Sequence, residues 1–262
     1  MTSISALFAT RLAGHVGSVG EASTIPGGAR GGGASHGPAK NWDRHVENME
    51  LLAGTTSFCA LRDRILELAD LSESDRVLDV GAGTGLLALA CAPRVAHVSA
   101  VDISPAMCDH LEEKRQSLGI GNLEVMTDSA TSLPLADGSV DVVLSNYCFH
   151  HLRDAEKPRA LAEARRVLRP GGRLVFGDMM FAVSLANPRD RAVIGRLIRR
   201  MVARGPAGVL RVLKNAARHV SGRGEHPARA EWWRAALAEA GFTEIAVEAL
   251  DHEGGIASAR RP

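Results

Sequence analysis

The sequence predicts an α/β domain with a doubly wound, mostly parallel sheet. Three observations predict it: short apolar runs alternate with helical patterns, a glycine-rich turn directly follows the first run, and an acidic residue ends the second. Strand–helix alternation at this spacing favours parallel strands joined by right-handed crossovers. The chain has 262 residues, 45% of them hydrophobic, and a formal net charge of +1. It can therefore bury a large core, and its overall charge excludes a strongly basic or acidic binding protein.

The domain is expected to begin near residue 41. Residues 1–40 hold nine glycines and one acidic residue, Glu21, with no apolar period, so a flexible glycine-rich N-terminal tail is expected there. From Asn41 onward a helical pattern begins, with Phe58, Leu61 and Ile65 on one apolar face. The predicted domain is therefore 41–262.

Five buried strands and three intervening helices follow in alternation. The predicted strands are Arg76–Val80, His97–Val101, Leu123–Thr127, Val140–Ser145 and Arg173–Phe176. The predicted helices lie near Leu86–Ala92, Pro105–Ser117 and Asp154–Leu168, and Arg169 to Gly172 is expected to stop the last one. A helix over Glu231–Ala240 and strands Ile245–Leu250 and Gly255–Ala259 complete the chain.

Residues 182–230 interrupt this alternation with two amphipathic helical patterns. Val193, Leu197 and Met201 form the first apolar stripe, and the second contains Val209, Leu213, Ala216 and Val220. Between Asn187 and Arg229 there are eleven Lys or Arg residues and two acids. We expect an apolar stripe that packs over the active site and a solvated basic face, although the arginines would also suit an anionic substrate, lipid or nucleic acid.

The glycine turn at Gly81, Gly83 and Gly85 is the most informative stretch. Ligands of open parallel sheets bind beyond the carboxyl ends of the strands, and glycines there let the backbone approach a ligand closely. A helix start after the turn would offer N–H groups to an anion. Asp102 ends the next strand, where a carboxylate can accept hydrogen bonds from both hydroxyls of a ribose.

The spacing of the glycines argues against a dinucleotide. The dinucleotide fingerprint places its third glycine five residues after the first, whereas here Gly85 follows Gly81 by four and residue 86 is Leu. A ligand with ribose and adenine but no diphosphate is favoured. An NAD(P)-dependent oxidoreductase is kept as an alternative.

The chain resembles the class I S-adenosylmethionine-dependent methyltransferases, in particular the small-molecule enzymes of the ubiquinone and menaquinone biosynthesis-like group. The stretches that carry the resemblance follow the order of that family's motifs: Asp79–Gly85 (DVGAGTG), Val101–Ser104 with Met107, Asp128–Ala130 before Leu133-Pro134, Asp137–Val143, Asn146–Leu152, and Leu168–Gly172. The resemblance implies a Rossmann-like fold of seven strands that ends in an antiparallel hairpin, with 182–230 as a helical substrate lid. It also implies S-adenosyl-L-methionine as the cofactor.

The resemblance assigns a set of cofactor-binding residues. It implies that the methionine carboxylate takes N–H groups of the glycine turn and of the helix start, that Asp102 binds the ribose, and that Asp128 meets the adenine amino group. Asp79 would accept from the methionine amino group through water. The residues expected to bind the cofactor are Asp79, Gly81, Ala82, Gly83, Gly85, Asp102, Ile103, Met107, Asp128, Ser129, Ala130 and Asn146.

His150 and His151 follow the fourth strand, near where the methyl group should emerge. Either could act as a base or orient the acceptor, because histidine titrates near neutrality; the alternative is that one bonds a loop carbonyl and the other caps a helix. No metal is expected, since no third ligand is spaced to join the pair. Cys148 is interpreted as a packing residue, and Trp42 and His45 as residues that close over the cofactor.

The sequence thus predicts a methyltransferase that transfers a methyl group in line to a small, possibly anionic, acceptor. Sparse aromatic residues, at 4% of the chain, make a nucleic acid partner unexpected. The Asn146-Tyr147-Cys148-Phe149 segment also lacks the prolines of the enzymes that methylate DNA bases. A non-catalytic protein that binds the cofactor is the other alternative. No apolar run reaches the roughly 18 residues of a membrane-spanning helix, and four separated cysteines fit a reducing cytoplasm.

Overall fold

A computed structural model describes residues 42–182, 184, 186–220 and 225–262 of the chain. Residues 1–40, expected to form a flexible tail, lie outside the described residues. The eight α-helices that the structure describes are α1 (Val46–Ala53), α2 (Thr56–Ala69), α3 (Ala88–Cys91), α4 (Pro105–Ser117), α5 (Lys157–Val167), α6 (Pro188–Val202), α7 (Pro206–Val220) and α8 (Ala230–Glu239). The strands are β1 (Arg76–Val80), β2 (His97–Asp102), β3 (Leu123–Thr127), β4 (Val140–Asn146), β5 (Leu168–Met179), β6 (Thr243–Ala249) and β7 (Gly254–Arg260).

The seven strands form one sheet in the order β3-β2-β1-β4-β5-β7-β6. Strands β1 to β5 pair in parallel, whereas β7 pairs antiparallel with both β5 and β6. The order reverses between β1 and β4, so the carboxyl ends of these two strands border the crevice where open α/β sheets bind ligands. This is the predicted doubly wound fold, and the terminal antiparallel hairpin is confirmed.

Helices cover both faces of the sheet and bury two separate cores. On one face, Ile65 of α2 and Ala88 of α3 pack with inward residues such as Val142 of β4. On the other face, Leu161 of α5 and Trp233 of α8 pack against residues such as Phe176 of β5. Because both faces are covered, most residues of the central strands are apolar, as is usual for buried parallel strands.

The structure corrects two predicted boundaries, one at the start of α3 beside the ligand crevice and one at the start of β5 at the opposite end of the sheet. Helix α3 begins at Ala88 rather than Leu86 and spans only four residues, so its partial positive charge is small. Residues Arg169–Gly172 do not simply end a helix, because β5 already begins at Leu168. The helix before it ends at Val167, as predicted, and residues 169–172, with Gly171 at a φ of 76°, form an irregular stretch between the pairs Val140–Leu168 and Val142–Arg173.

The two helices of the 182–230 segment form as expected but pack differently from each other. Val193 of α6 is buried, whereas Leu210 and Leu213 of α7 are 67% and 63% exposed. Helix α7 has α6 as its chief neighbour among the described elements. The expectation that its apolar stripe packs over the active site is therefore wrong for the side chains that are described; those of Ala216 and Val220 lie outside the described part.

Candidate active site

Four backbone N–H groups of the glycine turn after β1 donate hydrogen bonds to other groups of the protein. The N–H groups of Gly81 and Ala82 donate to the carbonyl of Val101, at 2.8 and 3.1 Å, and that of Gly85 donates to Ala82 at 2.9 Å. The N–H group of Gly83 donates to the Asp102 carboxylate at 2.8 Å. Three of these groups hold the turn on β2 and that of Gly85 closes the turn on itself, so the N–H groups of Gly81, Ala82, Gly83 and Gly85 are engaged within the protein.

Two of these glycines are required for different reasons. Gly81 has a φ of 71°, and a Cβ there would lie 2.4 Å from the Sγ atom of Cys148. Gly83 has a φ of 52°, but a Cβ there would meet nothing within 4 Å. Gly81 thus lets β1 and the loop after β4 approach each other, while Gly83 borders open space at the ligand crevice. Cys148 packs on Gly81, and burial raises the pKa of its thiol above the usual range, which fits the packing role.

Asp102 joins the ends of the first two strands. Its Oδ2 atom accepts from Gly83 at 2.8 Å and its Oδ1 atom accepts from the N–H group of Ser104 at 2.9 Å. Burial raises the pKa of Asp102, and the two backbone donors oppose that shift. A carboxylate that already takes two N–H bonds at the carboxyl edge of the sheet is held rigidly for further donors such as ribose hydroxyls.

Asp79 lies deeper than its implied role requires. It is 1% exposed, and its Oδ2 atom accepts from the N–H group of Ala88 at 3.0 Å. Burial is the main cause that raises the pKa of Asp79 to about 7. The residue therefore fastens the start of α3 to β1, and the structure does not place it among the groups that line the crevice.

The pKa of Asp79 predicts a pH dependence of stability. An unfolded aspartate has a pKa near 3.9, so the folded state binds this proton more tightly, and stability falls as the pH rises from about 4 towards 7. Between pH 5.5 and 6.5 the free energy of unfolding of the native protein should therefore fall by about 1 kcal/mol more than that of Asp79→Asn, which has no carboxyl group to titrate. The size follows because one proton is worth about 1.4 kcal/mol per pH unit. Urea unfolding of both proteins across this range measures the difference in slope, and equal slopes would contradict the assignment.

The remaining residues that the resemblance assigns to cofactor binding differ in how far they are exposed to solvent. Ile103, directly after Asp102, is 55% exposed and offers an apolar surface at the crevice, whereas Met107 is 2% exposed and packs inside the protein. Asp128 lies beside Asp102, because its N–H group donates to the Asp102 carbonyl at 3.0 Å, and its Oδ1 atom accepts from Ser129. Ile103, Asp128, Ser129 and Ala130 thus share the edge formed by β2 and β3, and Met107 does not reach it.

Asn146 supplies an unpaired acceptor at the end of β4. Its Oδ1 atom is buried and has no hydrogen-bond partner among the described residues. A buried acceptor without a donor is costly, so such a group commonly marks a site completed by a ligand. Its strand end borders the same crevice as Gly81 and Asp102.

The segment before α1 contacts this edge through residues that sequence reasoning only partly identified. Asp43 accepts from the Ser104 hydroxyl at 2.6 Å, next to Asp102. The Trp42 ring lies 4.4 Å from the ring of His151. Lys114 of α4 donates to Glu50 and to the carbonyl of Thr84 in the glycine turn, both at 2.9 Å. The N-terminal segment therefore borders the crevice, and closure of Trp42 and His45 over the cofactor stays a prediction.

His150 is held by a buried carboxylate that sequence reasoning missed. Asp178, fully buried in β5, accepts from the backbone N–H group of His150 at 2.8 Å and lies 2.5 Å from the ring Nδ1 atom. A carboxylate only accepts, so Nδ1 carries the proton of this bond, and in the neutral ring Nε2 keeps its lone pair. The signal for Asp178 was an acid two residues beyond the predicted end of strand five, at the same sheet edge as Asn146.

The expectation that no third ligand joins the histidine pair is wrong. Glu225, from the connection before α8, offers a carboxylate oxygen that lies with one ring nitrogen each of His150 and His151 in a group whose atoms are all within 4.8 Å of one another. It is the one such group found among the residues that the structure describes. The two rings themselves lie 3.8 Å apart between centroids. Chain folding, rather than sequence spacing, brings the carboxylate to the pair.

The fold and the crevice together define a class of protein that binds a nucleoside at the carboxyl edge of the sheet. The residues fit S-adenosylmethionine: the carboxylates of Asp102 and Asp128 and the exposed side chain of Ile103 share one edge of the crevice, and Asn146 has an unpaired acceptor at the same edge. The seven-stranded sheet and this crevice fit an S-adenosylmethionine-dependent methyltransferase.

Comparison with known proteins gives the same class. Residues 77–172 match the sequence family described as a methyltransferase domain. An uncharacterized methyltransferase of Geobacillus kaustophilus is 32% identical over 64% of this chain and 72% of its own length. YcgJ of Bacillus subtilis, another uncharacterized methyltransferase, is 35% identical over 44% of each chain. An S-adenosylmethionine-dependent methyltransferase of Aquifex aeolicus shares the fold with a TM-score of 0.57, at 21% identity over 83% of this chain and 97% of that one.

This chain belongs to the class I S-adenosylmethionine-dependent methyltransferases and uses S-adenosyl-L-methionine as its cofactor. The alternative of a nicotinamide-dependent oxidoreductase is therefore not retained. Within the part of the chain that the structure describes, no helix has both the length and the apolar character needed to cross a bilayer.

Proposed function

We propose that this methyltransferase acts on a small molecule whose accepting atom, in a hydroxyl, amine or thiol, carries a proton. The observation that carries the proposal is the Asp178–His150 pair at the edge where β4 and β5 end, in which the carboxylate engages Nδ1 and so leaves Nε2 of the neutral ring as the acceptor. An acceptor without a proton would need no such group. His150 and His151 are therefore proposed as the residues that act on the acceptor.

The cofactor would be held by Asp102, Ile103, Asp128, Ser129 and Asn146. When bound, it supplies a methyl group already activated by the sulfonium charge. The protein then has to position the acceptor in line with that methyl and to exclude water, and alignment of this kind can lower the barrier by up to about 7–11 kcal/mol. Asp79, Gly81, Ala82, Gly83 and Gly85 are proposed to shape the turn, and Met107 to support it from inside.

We propose that α6, the first helix of the 182–230 segment, covers the acceptor. Helix α6 is anchored for this by Arg189, which donates to the carbonyls of Met180 and Leu250, and by Asp190, which pairs with Arg229 at 2.6 Å. Because these two arginines are engaged within the protein, they do not favour an anionic acceptor. A nucleic acid acceptor is not favoured either, since the apolar side chains described for α7 are aliphatic and offer no rings for stacking bases. The four free cysteines fit a cytoplasmic location.

The proposal is tested with the purified protein and a panel of hydroxyl, amine and thiol acceptors. We expect S-adenosylhomocysteine to form with at least one of them, and at a rate that depends on His150. Tight binding of S-adenosylmethionine without product from any acceptor would instead favour the non-catalytic alternative. The variant Asp141→Asn, which changes a buried carboxylate at the opposite end of β4, serves as the control and should keep its turnover.

A further inference from the structure

Three potential metal ligands lie together on the acceptor side of the crevice. His150 and His151 belong to the short helical turn Phe149–His151 after β4, and Glu225 belongs to the connection between α7 and α8. His150 is buried, His151 half-buried and Glu225 exposed. His150 thus fixes the group in the protein core, and Glu225 leaves its other end open to solvent. A site that exchanges ligands requires such access.

The buried end of this group has the arrangement that metal-binding histidines usually show. The Nδ1–H group of His150 bonds to the carboxylate of Asp178, so the nitrogen left for a metal is Nε2. Metal-bound histidines almost always donate their other ring N–H group to a carboxylate, carbonyl or water, which fixes the tautomer and ring orientation. Asp178 is itself fixed by the N–H groups of His150 and Met179.

The exposed end is fixed by the backbone. The N–H group of His226 donates to the carbonyl of His150 at 2.7 Å, and the carbonyl of His226 accepts from Lys157 at 2.6 Å. Lys157 is fully buried, so this connection is tied firmly to the start of α5. Glu225, the residue before His226, is thereby held beside the histidine pair.

We propose that His150, His151 and Glu225 bind a divalent transition metal, with zinc as the best match. Two histidines and one glutamate that leave a fourth position open form a known pattern of catalytic zinc sites. The three ligand atoms lie within 4.8 Å of one another. Zinc bonds of about 2.0–2.2 Å require these atoms to move closer together. The exposed side chain of Glu225 can make this movement without disturbing the core.

The part that such a metal would play in methyl transfer rests on the proposed function, whereas the binding of the metal to the chain does not. The open position would take the oxygen or sulfur of the acceptor, and coordination lowers the pKa of a bound X–H group so that its proton passes to solvent water. The X–C bond then forms as the S–C bond of the sulfonium breaks, with the electron pair retained by sulfur. His150 would then serve as a ligand of the metal rather than as the base.

The test is a titration of the untagged, metal-free full chain with Zn²⁺ by calorimetry and with Co²⁺ by visible absorption. We expect one ion per chain, and at least tenfold weaker binding in His151→Ala and in Glu225→Gln. His97→Ala and Glu231→Gln remove a histidine and a carboxylate outside the group, so both should bind as the unchanged protein does. Asp178→Asn should weaken binding by about 10–100-fold, as loss of such supporting carboxylates does elsewhere.

Absence of stoichiometric binding, or equal affinities in the site variants and the control variants, would overturn the inference. S-adenosylmethionine binding is measured on the same preparation, so the two proposals can fail separately. Cofactor binding and turnover without metal binding would refute the metal site alone. Metal binding without methyl transfer to any acceptor would refute the proposed function and leave the site standing.

Discussion

Asp178→Asn is expected to lower the rate of methyl transfer by about 10²–10⁴-fold while leaving the affinity for S-adenosylmethionine nearly unchanged. The amide that replaces the carboxylate can turn an N–H group towards Nδ1 of His150, which favours the tautomer with the proton on Nε2. In serine proteases the same change at the aspartate behind the histidine costs about 10⁴ in rate. The histidine could then neither accept a proton nor bind a metal at Nε2.

Asp178 acts through His150, so the test needs a measurement that distinguishes an effect on the histidine ring from a general loss of structure. Nitrogen NMR of the histidine ring reports the tautomer directly, and kinetics with a reactive acceptor separate kcat from KM. Asp141→Asn is the matched control, because this buried aspartate accepts from the N–H group of Arg76 far from the crevice. An unchanged tautomer and rate in a folded Asp178→Asn protein would remove Asp178 from the account.

Asp102→Ala is expected to weaken S-adenosylmethionine binding by about 1.5–3 kcal/mol, the usual range for a hydrogen bond to a charged group. The structure adds a second reason, because the carboxylate also holds the N–H groups of Gly83 and Ser104. Its loss therefore loosens the glycine turn as well as removing the ribose acceptor.

Asp102→Asn separates these two effects. The asparagine keeps one acceptor oxygen for the turn but loses the negative charge, so its affinity should lie between those of the native protein and the alanine variant. Calorimetry with S-adenosylmethionine measures all three proteins, and thermal unfolding verifies that each is folded. Native affinity in a folded Asp102→Ala protein would exclude Asp102 from the cofactor site.

Local patterns were sufficient to predict most of the fold. The bounds of β1, β3 and α4 agree with the sequence analysis to the residue, because each has a continuous apolar or amphipathic pattern with clear flanking turns. Strand β5 was underestimated at both ends. Its first residues pair with β4 through a bulge, and its last residues pair with β7, and neither partner is visible in the local sequence.

A residue of the site could be predicted from the sequence where a single motif both contains that residue and indicates its role. The glycine turn, Asp102 and Asn146 all lie at strand ends that the sequence identified. Asp178 and Glu225 were missed because their partner, the histidine pair, lies far away along the chain. The depth of Asp79 and Met107 was missed for the same reason, since burial depends on the helices that pack above them.

The crevice at the ends of β1, β2 and β4 is where S-adenosylmethionine should bind. Calorimetric titration of the purified chain with S-adenosylmethionine, and in parallel with NADH, tests this binding without any knowledge of the acceptor. We expect saturable binding of S-adenosylmethionine at one site per chain, weakened in Asp102→Ala, and no binding of NADH. Heat released by NADH and none by S-adenosylmethionine would contradict it.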